Sequence, residues 1–127
     1  MKTCFMTEKG PRAMGPYSSA VIHGNIVFLS GIVPVDPESG AIVQGDIEQQ
    51  AHRVLQNIRI VLGELGLDMA SVLKATVFLR DMNDFNAMNA IYAGYFGPDY
   101  PARSCFQVAR LPLDAAIEIE VIAAYNN

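Results

Sequence analysis

Four side chains able to do chemistry fall in two closely spaced pairs near the end of the chain. Arg103 and Cys105 are two residues apart, and so are Glu118 and Glu120. Both pairs lie in runs rich in β-forming residues, and alternate residues of a strand point to the same face of a sheet. Each pair therefore shares a face, with the two carboxylates roughly 7 Å apart. An arginine, a thiol and two carboxylates are groups that bind an anionic ligand and transfer protons.

Whether these four side chains meet depends on how their strands pair. The two runs are separated by Leu111-Pro112. An antiparallel hairpin centred there would place Arg103 opposite Glu120 and Cys105 opposite Glu118. A slip of one residue would turn every side chain to the other face. The alternative interpretation is a solvated sheet face on which Arg103 merely pairs with one glutamate.

The chain has too few cysteines and histidines for a metal centre or a disulfide framework. Cys4 and Cys105 are the two cysteines, and His23 and His52 are the two histidines. These four residues lack the spacing of a three- or four-ligand metal site. We therefore expect no metal, and we expect both cysteines to be reduced in a cytosolic protein.

Helices and strands that would position these residues can be predicted from periodicity and turn residues. Asp46, with Gln49 three residues later, indicates the start of a helix that Gly66 ends. Asn83 or Asp84 would cap a second helix. The predicted strands span residues 19–22 and 25–33, paired as a hairpin, followed by 72–79, 104–108 and 115–125.

Length and composition limit the class of protein. At 127 residues the chain is expected to form one domain, residues 1–127. Hydrophobic residues make up 51% and charged residues only 17%, a balance that predicts a homo-oligomer with a buried interface. The net charge of −4 argues against binding to nucleic acid or anionic membranes.

No secretory signal or membrane-spanning stretch is apparent, so we expect a cytoplasmic protein.

Five short motifs occur in order along almost the whole chain. They are Gly15-Pro16-Tyr17-Ser18, Ser30-Gly31, Thr76 to Leu79 with Asp81 to Phe85, Pro101-Ala102-Arg103-Ser104, and Ile117-Glu118-Ile119-Glu120. With these motifs the sequence resembles the RidA/YjgF family, also known as the endoribonuclease L-PSP family. The resemblance implies a chorismate-mutase-like α+β fold, in which a mixed β-sheet packs on two α-helices. It also implies a trimer with clefts between its subunits.

The activity implied by this resemblance is hydrolytic deamination of reactive 2-enamine or 2-imino acids, such as 2-aminoacrylate and 2-iminobutyrate. The products are 2-keto acids and ammonia, and no cofactor is required. Arg103 matches the family's essential arginine, whose guanidinium can hold a carboxylate through two parallel hydrogen bonds. Glu118 matches the carboxylate assigned to the attacking water. Positions that line the cleft in similar proteins match Tyr17, Ser30, Gly31, Asn89 and Cys105.

Each of these cleft positions also has a purely structural interpretation. Tyr17 could bury its ring, Ser30-Gly31 could form a bulge, and Asn89 could face solvent. Cys105 could be a small buried hydrophobe, although the nearby Arg103 would favour its thiolate.

Two other functions remain open. One is a ribonuclease or translation inhibitor, which the net negative charge and the scattered basic residues disfavour. The other is a non-catalytic trimer that binds carboxylate metabolites or protein clients.

Overall fold

The protein has an α+β fold, as predicted. The computed structural model describes residues 1–126, and in this range two long helices pack against one mixed six-stranded sheet. The strands are β1 (Thr3–Phe5), β2 (Ala20–His23), β3 (Ile26–Leu29), β4 (Val72–Leu79), β5 (Ala102–Gln107) and β6 (Ile117–Ala124). The helices are α1 (Ile47–Glu64) and α2 (Phe85–Phe96).

The strand order across the sheet is β1-β2-β3-β6-β4-β5. β4 and β5 are parallel, and α2 forms the crossover that parallel neighbours require. All other neighbouring strands are antiparallel. The predicted hairpin from β2 to β3 is confirmed, although β3 ends at Leu29 rather than at Val33.

The predicted hairpin between the last two strands is wrong, because β4 lies between β5 and β6. Ala75 of β4 is opposite Arg103 on one side and Val121 on the other. Glu118 and Glu120 are opposite other β4 residues, Phe78 and Thr76. Arg103 and Cys105 therefore do not face the two glutamates.

Residues near the helix ends correctly predicted where α1 begins and ends and where α2 begins. Asp46 and Gln49 form a reciprocal capping box at the start of α1, with bonds of 3.1 and 3.0 Å. Gly66 follows the end of α1 with a φ of +76°, a conformation that suits glycine. Asp84 precedes α2, as expected, but its side chain makes no capping hydrogen bond.

The two faces of the sheet differ in character. The alternating residues Ile117, Ile119, Val121 and Ala123 of β6 are buried beneath the helices. The opposite face, here called the open face, carries Glu118 and Glu120 together with aromatic and aliphatic side chains. These apolar residues include Phe28, Phe78, Phe106 and Ile122. Within the described chain, neither helix has the length and apolar character needed to cross a membrane.

Candidate functional site

Arg103 lies on the helix-covered face of β5, where α2 holds it in place. Its Nη1 donates a hydrogen bond to Asn89 Oδ1 at 2.8 Å and lies 3.9 Å from the sulfur of Met88. The guanidinium carbon lies 4.8 Å from the ring centroid of Tyr92 and 5.6 Å from that of Phe85. These four α2 residues project from one side of the helix. One hydrogen bond and two cation–π contacts therefore restrain the guanidinium.

Among the described residues, no carboxylate forms an ion pair with the restrained Arg103. Among residues 1–126 the salt bridge found is that between Arg80 and Asp114, at 3.7 Å. Asn89 occupies only one nitrogen of the Arg103 guanidinium. The remaining N–H groups can donate to a planar anion such as a carboxylate.

Cys105 shares the face of Arg103 and borders an open cavity of about 480 Å³. Burial raises the pKa of its thiol, and the opposing effect of the Arg103 charge is smaller. This result contradicts the prediction that Arg103 would favour the ionised form of the Cys105 thiol. The other lining residues of this cavity are Met82, Asn83, Phe85 and Asn86.

Glu118 lies on the open face, next to the backbone of Gly31. A Cβ added to Gly31 would lie 2.8 Å from Cδ of Glu118, so any larger residue would displace the carboxyl group. Together, Gly31, Glu118, Tyr17 and Ser30 line a cavity of about 240 Å³, here called the Glu118 cavity. Its remaining walls are Met14, Val33 and Pro112.

The hydroxyl groups beside Glu118 are fixed by local hydrogen bonds. Ser30 donates to the carbonyl of Ser18 at 2.6 Å, and the Tyr17 hydroxyl accepts from the backbone N–H of Met14 at 3.1 Å. Residue Tyr17 is 43% exposed, which contradicts the interpretation that it is buried. Tyr17 and Ser30 are thus held at the edge of the cavity and open to a ligand.

Two effects raise the pKa of the Glu118 carboxyl. Burial is the larger, and the negative charge of Glu120 on the same face adds to it. A glutamate with a raised pKa is a stronger base than an exposed one, so it suits proton transfer from water.

The structure divides the predicted site residues into two groups on opposite faces of the sheet. Asn89, Arg103 and Cys105 form a cationic group beneath α2. Tyr17, Ser30, Gly31 and Glu118 form an acidic group around the Glu118 cavity. A small ligand cannot contact Arg103 and Glu118 of the same chain at once.

Sequence reasoning missed several residues of these groups. Phe85 and Tyr92 carried no signal of a role in the site, although their spacing from Asn89 places all three beside Arg103. Met14, Val33 and Pro112 carried no chemical signal, because apolar walls are recognisable only after folding. Over residues 1–126, no group of three or more His, Cys, Asp or Glu side chains is arranged to hold a metal ion.

The chain is similar over nearly its full length to proteins of one family. The family model described as Endoribonuclease L-PSP matches residues 7–125. A RutC family protein of Pyrococcus horikoshii is 50% identical over 123 residues, covering 97% of this chain and 98% of its relative. The 2-iminobutanoate/2-iminopropanoate deaminase of Salmonella typhimurium is 44% identical over 126 residues, covering 97% and 98%. A Rid family protein of unknown function from Yersinia pestis has a TM-score of 0.94 at 42% identity, covering 98% and 99%.

Proposed function

Because the chain belongs to the RidA/YjgF family of the endoribonuclease L-PSP type, we propose that it hydrolyses reactive 2-enamine and 2-imino acids to 2-keto acids and ammonia. The observation that carries the proposal is Arg103, which α2 immobilises and which lacks a carboxylate partner among the described residues. The relative from Salmonella, whose name is that of an imine deaminase, supports the same reaction class. Suitable substrates are 2-aminoacrylate and 2-iminobutyrate.

Each active site forms between two copies of the chain. Arg103 and Glu118 lie on opposite faces of one sheet, so a substrate can reach both only if one of them comes from a neighbour. The open face also exposes apolar surface, including Phe28 and Phe106, each 47% exposed. Such a patch favours burial against another copy. A closed ring of three copies is the assembly that the family resemblance implies.

The chemistry needs orientation and one proton acceptor. Arg103 holds the substrate carboxylate through two parallel hydrogen bonds, which fixes the adjacent imine carbon. Ionised Glu118 accepts the proton of a water molecule as the water oxygen bonds to that carbon. That proton passes to the imine nitrogen, which gives a carbinolamine. Glu118 then accepts the proton of the carbinolamine hydroxyl and transfers it to the nitrogen, so that the C–N bond breaks, ammonia leaves and the keto group forms. A 2-enamine acid enters this sequence after a proton moves from its nitrogen to its β-carbon, which converts it to the imine.

The apolar walls of the Glu118 cavity suit the aliphatic part of such a substrate. Met14, Val33 and Pro112 provide these walls, while Glu118 and Ser30 provide the polar groups. A pocket with apolar walls and few polar groups is typical of small-molecule sites.

Cleavage of RNA has less support, although the family description includes the word endoribonuclease. The chain has nine basic and thirteen acidic residues. Three of its arginines are already engaged, since Arg53 bonds to Asn57, Arg59 stacks on Tyr95 and Arg80 pairs with Asp114. Because acidic residues outnumber basic ones, the chain offers little net attraction to a phosphate backbone.

The proposal is tested by measuring keto-acid formation. A pyridoxal-dependent dehydratase generates 2-aminoacrylate or 2-iminobutyrate in situ, and semicarbazide competes for the intermediate. Wild type should accelerate hydrolysis, Arg103→Ala should be slower by about a hundredfold or more, and the remote Arg59→Ala should match wild type. Absence of acceleration by wild type would refute the deaminase proposal and favour a carboxylate-binding protein.

A further inference from the structure

Three polar side chains at seven-residue intervals along α1 form hydrogen bonds to segments outside the helix. Gln50, Asn57 and Glu64, here called the polar ladder, are two helical turns apart and lie close to one line along the helix. Gln50 is only 8% exposed and Asn57 is 0% exposed. Polar groups buried to this extent are costly unless they form hydrogen bonds. Each member of the ladder bonds to a different segment of the chain.

Gln50 anchors the beginning of β6. Its Oε1 accepts a hydrogen bond from the backbone N–H of Ala116 at 2.8 Å. The carbonyl of Ala116 accepts from the N–H of Arg80 at 3.0 Å, so the main chain is fixed on both sides of this residue. Glu118 follows only two residues later, so this anchor fixes the main chain where the strand that carries Glu118 begins.

Asn57 anchors the segment that follows Gly31. Its amide donates to the carbonyls of Val35 at 2.8 Å and Val33 at 3.3 Å, while its oxygen accepts from Arg53 Nε at 3.1 Å. Val33 is a wall of the Glu118 cavity, and Gly31 contacts Glu118 directly. The buried amide thus fixes a second wall of the cavity.

Glu64 anchors the N-terminal loop. Its carboxylate accepts hydrogen bonds from the Thr7 hydroxyl and from the backbone N–H groups of Glu8 at 2.9 Å and Lys9 at 3.2 Å. Burial alone would raise the pKa of this carboxyl, but these bonds and the charge of Lys9 outweigh it and hold the pKa below its usual value. The loop continues to Tyr17 at the Glu118 cavity.

Close packing reinforces the anchor at Glu64. A Cβ added to Gly10 would lie 2.8 Å from Oγ1 of Thr7 and 2.9 Å from Cγ2 of Val61 in α1. The start of the loop is therefore pressed against the helix that carries the polar ladder. Met14 and Tyr17, farther along the same loop, form the third wall of the cavity.

From these contacts we propose that Gln50, Asn57 and Glu64 are positioning residues, which hold three separate walls of the Glu118 cavity at fixed distances from a single helix. None of the three lines the cavity itself. The inference deepens the proposed function and rests on it. It differs from a general role in stability because each anchor governs its own wall.

The test compares two ladder variants with exposed variants of the same helix. Glu64→Gln removes the charge that anchors the loop, and Gln50→Met removes the acceptor for Ala116 with little change in volume. Glu48→Gln and Gln56→Met make the same chemical changes at exposed positions of α1. Asn57 is left intact, because loss of its buried amide would destabilise the whole fold.

The kinetic parameters should separate the anchors. Glu64→Gln should raise KM about tenfold with kcat nearly unchanged, because the loop with Tyr17 is loosened. Gln50→Met should lower kcat about tenfold with a smaller change in KM, because Glu118 is displaced. Both controls should stay within about twofold of wild type. Ladder variants that match their controls, or that lose activity only in proportion to unfolded protein, would overturn the inference.

A readout without turnover separates this inference from the proposed function. Hydrogen exchange at the backbone amides of Glu8 and Lys9 should accelerate in Glu64→Gln and not in Glu48→Gln. Pyruvate should bind Glu64→Gln more weakly than it binds Glu48→Gln. If hydrogen exchange and pyruvate binding are both unchanged in Glu64→Gln, the proposed positioning role of the polar ladder is wrong, even if the wild type is active. An inactive wild type with these shifts would overturn the deaminase proposal alone.

Discussion

Gly31 and Glu118 are in direct contact on the open face, where the absence of a side chain on one makes room for the carboxyl group of the other. A Cβ at residue 31 would lie 2.8 Å from Cδ of Glu118. The close approach to Glu118, and not a positive φ, is what a larger residue at position 31 would disturb. The same contact makes the position of Glu118 sensitive to a single methyl group.

Gly31→Ala should therefore lower kcat by at least about tenfold, because the carboxylate is pushed away from the attacking water. The displaced atoms belong to the end of a flexible side chain, so the free energy of unfolding should fall by no more than about 1 kcal/mol. The control is Gly63→Ala, since a Cβ at that position in α1 meets nothing within 4 Å. Steady-state kinetics and thermal unfolding of both variants measure the two effects. An active Gly31→Ala enzyme would show that Glu118 need not occupy its observed position.

Arg103→Lys should be almost as defective as Arg103→Ala. Lysine keeps the positive charge but cannot form two parallel hydrogen bonds to a carboxylate. We expect a loss of kcat/KM on the order of a hundredfold, measured with 2-iminobutyrate. Near-normal activity of the lysine variant would indicate that charge alone suffices and that bidentate binding is absent.

The acid limb of the pH profile should report the environment of Glu118. Its pKa is raised by burial and by the charge of Glu120. Ionised Glu118 is the active form, so kcat/KM should rise as pH increases through this pKa. Glu120→Gln removes the second cause, and the acid limb should move to lower pH, while Glu48→Gln should leave it in place. A limb that moves to higher pH or stays fixed would exclude Glu118 as the titrating base.

The raised pKa of Glu118 also has a consequence for stability. The folded chain binds this proton more tightly than the unfolded chain, so the contribution of Glu118 to stability falls as pH rises from the ordinary glutamate pKa of 4.5 through the raised value. Glu118→Gln should flatten the pH dependence of the free energy of unfolding in that window. Denaturant titrations at several pH values measure this, and an unchanged slope would contradict it.

The Cys105 side chain should stabilise the fold by packing and should take no direct part in the reaction. Its thiol has a raised pKa and stays protonated at neutral pH, so it is a poor nucleophile. Cys105→Ser should keep most of the deaminase activity and lose some stability, as kinetics and thermal unfolding can measure. A loss of activity as complete as that of Arg103→Ala would assign the thiol a direct role.

Features determined by neighbouring residues could be predicted from the sequence. The capping box at Asp46 and Gln49, the turn at Gly66 and the buried alternation of β6 depend on residues close together in the chain. The pairing of β4 with both β5 and β6 could not be predicted, because the α2 crossover brings distant segments together. Assuming that consecutive strands pair therefore placed Arg103 opposite Glu120, which is wrong.

Prediction of the candidate site from the sequence was limited in the same way. Arg103 and Glu118 were identified from their motifs, but their location on opposite faces follows from the strand order and appears only in the fold. The aromatic restraint of Arg103 by Phe85 and Tyr92, and the polar ladder on α1, likewise depend on how helices pack on the sheet. Residue type indicates the chemistry, whereas tertiary contacts decide which residues can act together.

The most direct test of an active site shared between two chains is complementation of inactive variants. Arg103→Ala and Glu118→Gln are each purified, mixed in equal amounts, unfolded and refolded together, and assayed for imine hydrolysis. With random assembly, about one site in four should combine an intact Arg103 from one chain with an intact Glu118 from another. The account predicts recovery of about a quarter of the wild-type activity in the mixture. Activity no greater than that of the two variants refolded separately, in a mixture shown to contain mixed oligomers, would contradict it.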